Sequence, residues 1–173
     1  DEKCYDSFLE FEDLLSNNSE IIIIRNSLLF NFLDGRGINI VINIDVNNNA
    51  NNPVIGLRSY GEDAEMVGKM ASAEIEGLAE YNVIGCAKHF PGHGDTATDS
   101  HYGLPMVNKS KEELLNNELK PYQVAINQGI EMIMSAHILY PQLDNTTVYS
   151  EKTKQQEKLP STLSHKILTD LLK

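Results

Sequence analysis

Between Lys88 and Pro105 the sequence reads Lys-His-Phe-Pro-Gly-His-Gly-Asp-Thr-Ala-Thr-Asp-Ser-His-Tyr-Gly-Leu-Pro. Three histidines (His89, His93, His101), two aspartates (Asp95, Asp99) and a lysine fall in this one span. In Asp99-Ser100-His101 a carboxylate stands two residues before an imidazole. On a loop, that carboxylate can turn back onto the ring, fix its tautomer and favour the protonated form, raising a pKa that starts near ~6.5. A histidine held in this way can give a proton to a leaving group and then take one from water. Such general acid–base help is worth about 10²–10⁴-fold in rate. The same spacing also fits two loop residues that only cap turns.

Lys88 and His89 leave the apolar run Val83 to Ala87 directly, so a rigid element should hold them. A cation and a donor/acceptor ring there suit the hydroxyl groups of a polar ligand. Arg58, after Asn52-Pro53-Val54-Ile55-Gly56, is a second cation at a strand-to-helix junction. Structural salt bridges would use the same residues. Metal binding is a competing reading, because His89, His93, His101, Asp95 and Asp99 could supply three ligands and leave a position for water. The His-x₃-His and Asp-x-His spacings match no helical two-ligand motif, and no cysteine joins them. The expectation is therefore no metal and no other cofactor. Gly-x-Ser-x-Gly is absent, and Pro91-Gly92-His93-Gly94 lacks the spacing of a phosphate-binding fingerprint.

Apolar periodicity indicates the elements that must position these groups. A helical pattern covers 5–15, four β-branched residues at Ile21 to Ile24 mark a buried strand, and Leu28 to Leu33 suits a short helix. Ile38 to Val46 reads as a second strand whose last polar residue is Asp45. A helix follows over about Asp63 to Ala79, with Met66, Met70, Ala73 and Leu78 as its apolar stripe. A strand at 83–87 then leads into the polar loop. Ser110-Lys111-Glu112-Glu113 is a capping box for a helix with Leu115, Leu119, Tyr122 and Ile126 on its face, bent at Pro121 and stopped by Gly129. Ile130 to Ala136 is the next strand. Ser164 caps a last helix containing Ile167, Leu168, Leu171 and Leu172.

Strands too apolar to face water, alternating with helices, imply an α/β protein with a parallel sheet. A doubly wound sheet and a (β/α) barrel both fit that alternation. At 173 residues the chain suits one domain, and a barrel within it has to be partial, since a full one takes ~250 residues. The net charge of −11 argues against nucleic acid or an anionic membrane as partner. No apolar run approaches the ~20 residues of a membrane span. Cys4 and Cys86 show no sign of pairing, and Cys86 reads as a small buried apolar residue.

Taken together, Asn52-Pro-Val-Ile-Gly-Leu-Arg58-Ser-Tyr-Gly-Glu-Asp63, Lys88-His-Phe-Pro-Gly-His-Gly-Asp95 and Asp99-Ser-His101 resemble glycoside hydrolase family 3. Within it they look most like the bacterial β-N-acetylglucosaminidases. Gly37-Ile-Asn-Ile, Asp45-Val46, Met134-Ser-Ala-His137 and Leu159-Pro-Ser-Thr-Leu-Ser164 support the match. The resemblance covers about residues 37–173, and residues 1–36 resemble the family poorly. It implies a single partial TIM-type (β/α) barrel domain over 1–173 with parallel strands, lacking family segments at both ends.

The resemblance also implies a retaining mechanism in which Asp99 and His101 form the acid/base dyad. It places Arg58, Lys88 and His89 on the hydroxyls of a terminal N-acetylglucosamine, so the expected partner is a saccharide containing that sugar. Asp45 matches a strand-end aspartate with a structural or peripheral role. Two departures stand out. The family's nucleophile aspartate lies on the strand after the Leu-Pro-Ser-Thr-Leu-Ser helix, and its upstream Asp-x-Glu-Gly-Gly segment binds sugar; neither is present. A retaining glycosidase needs two groups flanking the scissile bond, so the chain alone is expected to be inactive. The alternatives are a non-catalytic carbohydrate-binding or scaffold protein, a phosphorylase acting on the same sugars, and a metal-dependent hydrolase.

Overall fold

The computed structural model describes residues 39–98 and 103–172. The elements expected at 5–15, 21–24 and 28–33 lie outside the described residues, as do Asp99 and His101. Strands β1 (Asn39–Asn43), β2 (Ile84–Phe90) and β3 (Met132–Ser135) form a sheet in the order β1-β2-β3. Both pairings are parallel, with Val41 opposite Cys86 and Cys86 opposite Met132. Helix α1 (Ala64–Glu80) connects β1 to β2, while α2 (Lys111–Asn116) and α3 (Lys120–Asn127) connect β2 to β3. The chain is thus α/β with a parallel sheet, as expected for a partial (β/α) barrel. Among the described residues the three strands do not close on themselves.

Helix α1 starts where Asp63 accepts a hydrogen bond from the Met66 amide at 2.7 Å. Its buried face is Ala64, Val67, Gly68, Ala71, Ile75 and Leu78, which corrects the expected stripe. Met66 and Met70 are 51% and 45% exposed, and Ala73 is exposed too. The reason is the neighbour. α1 packs against α3, and a Cβ on Gly68 would already come within 3.2 Å of Val124 Cγ2. Small residues permit that approach, so they win the inner face over methionine.

Ser110 forms the expected capping box, accepting from the Glu113 amide while the Glu113 carboxylate accepts from its own. The helix does not bend at Pro121, however. It ends at Asn116, and Pro121 sits in the first turn of a new helix, where its missing N–H costs no bond. The buried residues include Leu114, Leu119, Tyr122 and Ala125, whereas Leu115 and Ile126 are exposed. Strand β2 runs past Ala87, so Lys88 and His89 lie on the strand itself. β3 is shorter than the apolar run suggests.

An antiparallel hairpin of β4 (Thr147–Ser150) and β5 (Gln155–Lys158) carries almost wholly exposed residues and has no counterpart in the expected elements. Near the end, Ser164 Oγ accepts from the Ile167 amide at 3.2 Å, opening a π-type helical turn over Lys166–Leu171 whose Ile167 is buried. Cys86 is a buried free thiol. No helix among the described residues is long and apolar enough to cross a membrane.

Candidate functional site

The carboxyl ends of β1 and β2 meet at Asp45. Its side chain is fully buried, between the buried Ile44 and Val46 and two residues past the end of β1. One carboxylate oxygen lies 2.7 Å from His89 Nδ1. The other accepts the backbone N–H groups of His93 (2.7 Å) and His89 (3.2 Å). Burial pushes the Asp45 carboxyl up, but the bonds and charge of His89 and the His93 amide outweigh it and hold the group below its usual value. Ser59 Oγ reaches the Asp45 carbonyl oxygen at 2.6 Å, which ties the turn carrying Arg58 to the same strand end.

Lys88 is buried, and burial lowers its pKa, with the Arg58 charge acting in the same direction and Asp45 against it. Arg58 spends its Nε on the Val54 carbonyl at 2.9 Å. Among the described residues neither cation has a carboxylate within ion-pair distance. The salt-bridge reading of these two residues therefore has no partner there. Lys88 and His89 are consecutive on β2, and Arg58 acts on Lys88 through space, so the structure brings these three expected residues to one sheet end.

The Pro91 to Gly94 segment is fastened on several sides. The Asn52 side-chain amide donates to the carbonyls of His93 (2.8 Å) and Gly94 (3.0 Å), while its oxygen accepts from the Val54 and Ile55 amides, each at 2.9 Å. Gly94 lies so close to the segment after β1 that a Cβ there would stand 1.8 Å from the Val46 carbonyl oxygen. Tyr140 donates its hydroxyl to the Gly92 carbonyl. Beyond the loop, Lys109 binds Asp95 at 2.8 Å and the buried carboxylate of Glu118, in the turn between α2 and α3.

His93 belongs to this scaffold. Thr96 Oγ1 donates to the His93 carbonyl at 3.0 Å, so it accepts from His93 Nδ1 at 2.7 Å. The His93 Nε2 is buried with no partner among the described residues, and burial lowers the ring's pKa. The ring stands edge-on to His89 with centroids 5.3 Å apart. Of the donors considered for a metal, His89 and His93 are thus bonded to Asp45 and Thr96, and Asp95 to Lys109. No group of three or more histidine, cysteine, aspartate or glutamate side chains among the described residues could hold a metal ion.

His137, just past β3, is exposed and lies 2.9 Å from Thr162 Oγ1. Ser161 bonds Ala136 and Ile138 on the same segment, so these two motifs are joined. Sequence reasoning gave Asp45 a structural or peripheral role, of which the structural one fits these hydrogen bonds, and missed Asn52, Glu118 and Thr96. A signal for Asp45 was present: an acid between two β-branched apolar residues, Ile44 and Val46, must find partners once buried.

Comparison with known proteins gives a consistent picture. The family model described as the glycosyl hydrolase family 3 N-terminal domain matches residues 37–173. A beta-hexosaminidase A of Pseudoalteromonas piscicida is 40% identical over 140 residues, 80% of this chain and 23% of its own. The glycoside hydrolase family 3 beta-N-acetylglucosaminidase from Paenibacillus sp. str. FPU-7 is structurally similar, with a TM-score of 0.68 and 42% identity. That match covers 76% of this chain and 23% of the other. NagZ from Neisseria gonorrhoeae, in complex with N-trifluoroacetyl-D-glucosamine, has a TM-score of 0.63 and 33% identity over 75% of this chain and 34% of its own. The chain spans about a quarter to a third of the curated relatives it matches.

Proposed function

The chain belongs to glycosyl hydrolase family 3, and on that premise we propose that it is part of a retaining β-N-acetylglucosaminidase, which removes terminal β-linked N-acetylglucosamine. The observation that carries the reading is the cluster at the β1 and β2 ends. Two cations, Lys88 and Arg58, stand without carboxylate partners among the described residues, beside a histidine held by a buried aspartate. Such a set supplies hydrogen-bond donors and an orientable ring to a neutral, hydroxyl-rich ligand. The names of the relatives above, and the amino-sugar derivative held by one of them, favour N-acetylglucosamine as that ligand.

Arg58, Lys88 and His89 hold the sugar in this reading. His101, paired with Asp99, gives a proton to the glycosidic oxygen as the aglycone leaves and the sugar is captured by a carboxylate. It then takes a proton from the water that releases the sugar, with the anomeric configuration retained. The 173 residues contain no counterpart of the family's nucleophile segment. They supply the proton-transfer and sugar-holding groups, and the 173-residue chain by itself is expected to be inactive.

The test is an assay of the intact protein with a chromogenic β-N-acetylglucosaminide and its α-anomer. Hydrolysis of the β-anomer alone, with N-acetylglucosamine released in the β-configuration, is expected. Absence of both turnover and N-acetylglucosamine binding would remove the reading. Sugar 1-phosphate formed in phosphate buffer would replace hydrolysis by phosphorolysis.

A further inference from the structure

We propose that Asp45 is a positioning residue that fixes the tautomer of His89, so that the neutral ring keeps its proton on Nδ1 and presents Nε2 to the ligand as a hydrogen-bond acceptor. Only the identity of the ligand rests on the glycosidase reading; the tautomer follows from the hydrogen bonds. An ionised carboxylate has no proton to give, so the 2.7 Å contact between Asp45 and His89 Nδ1 requires the proton to sit on Nδ1. The two carboxylate oxygens cannot exchange roles, because the other one is engaged by the His89 and His93 backbone N–H groups.

The ring is also held sideways. His93 stands edge-on to it at 5.3 Å, and His93 is itself tied to Thr96. Among the described residues nothing is bonded to His89 Nε2. Among the described residues, the charged and titratable groups near the ring include Lys88 on its own strand, Arg58 on the turn after β1, Asp45 just past β1, and His93.

This arrangement selects a chemical class. Lys88 and Arg58 can only donate, and the neutral His89 Nε2 can only accept. A ligand that answers both must offer a donor as well as acceptors, and a hydroxyl does so on a single atom. A carboxylate or phosphate oxygen would satisfy the cations but meet a lone pair at Nε2 as long as the ring is neutral. An ether oxygen or a fluorine likewise has nothing to donate. The site therefore favours a ligand that presents a donor, such as a hydroxyl, to His89 Nε2.

Nitrogen-15 NMR of the intact protein, labelled in its histidine rings and assigned with His89→Gln, reads the tautomer directly. At a pH where the His89 ring is neutral, Nδ1 is expected to be protonated and Nε2 bare. In Asp45→Asn the amide oxygen stays with the two backbone N–H groups and the NH₂ faces the ring, so the proton should move to Nε2. A wild-type ring protonated at Nε2 overturns the proposal, whether or not Asp45→Asn folds. A folded Asp45→Asn with an unchanged tautomer does the same.

Binding of N-acetylglucosamine and its monodeoxyfluoro analogues tests the acceptor role. At one ring position, fluorine should weaken wild-type binding roughly tenfold, as loss of a hydrogen bond predicts. That loss should be clearly smaller in Asp45→Asn, and equal losses would overturn the acceptor role. Failure of wild type to bind N-acetylglucosamine, with the tautomer as stated, would count against the glycosidase reading and leave the assignment of Asp45 standing.

Discussion

Asn52 and His93, 41 positions apart in the chain, are joined by a 2.8 Å hydrogen bond from the side-chain amide of one to the carbonyl of the other. The same amide serves Gly94, and its oxygen serves two backbone N–H groups of its own turn. One side chain thus locks the turn before Arg58 to the segment after His89. Asn52→Ala leaves several buried groups unpaired and should cost at least about 2 kcal/mol. Urea unfolding measures the loss, and a variant within 0.5 kcal/mol (about the scatter of a neutral surface change) would deny Asn52 this role.

Gly94 and Gly77 make a matched pair. A methyl on Gly94 collides with the Val46 carbonyl, whereas one on Gly77, in α1, meets nothing within 4 Å. Gly94→Ala should destabilise by about 3 kcal/mol. Gly77→Ala should stabilise by about 0.4–1 kcal/mol. Melting temperatures of the two variants should therefore move in opposite directions.

The Lys109–Glu118 pair is asymmetric, with a part-exposed ammonium and a buried carboxylate whose second oxygen has no partner among the described residues. Lys109→Met leaves that charge buried and should cost about 3 kcal/mol. Adding Glu118→Gln removes the charge and should recover part of the loss. A double-mutant cycle with no coupling would show that the contact contributes nothing.

Acid sensitivity should centre on Asp144. Burial pushes its carboxyl up, but Ser164 and Thr146 hydroxyls, the Thr146 amide and Lys166 outweigh it and hold the group well below the usual carboxylate range. A depressed folded pKa contributes stability that is present above the unfolded value, near ~4, and is lost as pH falls toward the folded one. Wild type should therefore lose stability below about pH 4 more steeply than Asp144→Asn. Unfolding curves taken from pH 7 to pH 2 would refute this by falling in parallel.

If His101 transfers the proton as proposed, His101→Ala in the intact protein should lower kcat by about 10²–10⁴-fold, with less effect on KM. If Lys88 holds the sugar as proposed, Lys88→Met should raise KM as well. Steady-state kinetics of both variants separates the two roles. Identical patterns would collapse the distinction.

Much of the fold was legible because it follows from local pattern. The parallel sheet came from strands too apolar to face water, and the cap at Ser110 from four consecutive residues. Lys88 and His89 were legible because they are adjacent and leave an apolar run. What failed was relational. The inner face of α1 depends on how closely α3 approaches, a property of Gly68 and Val124 together. Asp45 became the hub of the site through partners 44 and 48 residues away, a distance no window of periodicity spans. The 147–158 hairpin has neither an apolar face nor a buried residue to announce it. Asp99 and His101 were picked out by their spacing and lie outside the described residues.

The asparagine that locks the two turns also bears on how the protein ages. Asparagine decays when the backbone nitrogen of the next residue attacks its side chain, closing a ring that opens to aspartate. In the run Asn47 to Asn52, only Asn52 is followed by proline, whose nitrogen has no hydrogen and cannot make that attack. An aspartate at position 52 would aim a negative charge at the oxygens of His93, Gly94 and Thr96. The member of the run that holds the His93 and Gly94 carbonyls is thus the one chemically barred from this route, so old protein should accumulate charge elsewhere in the run before that lock is touched.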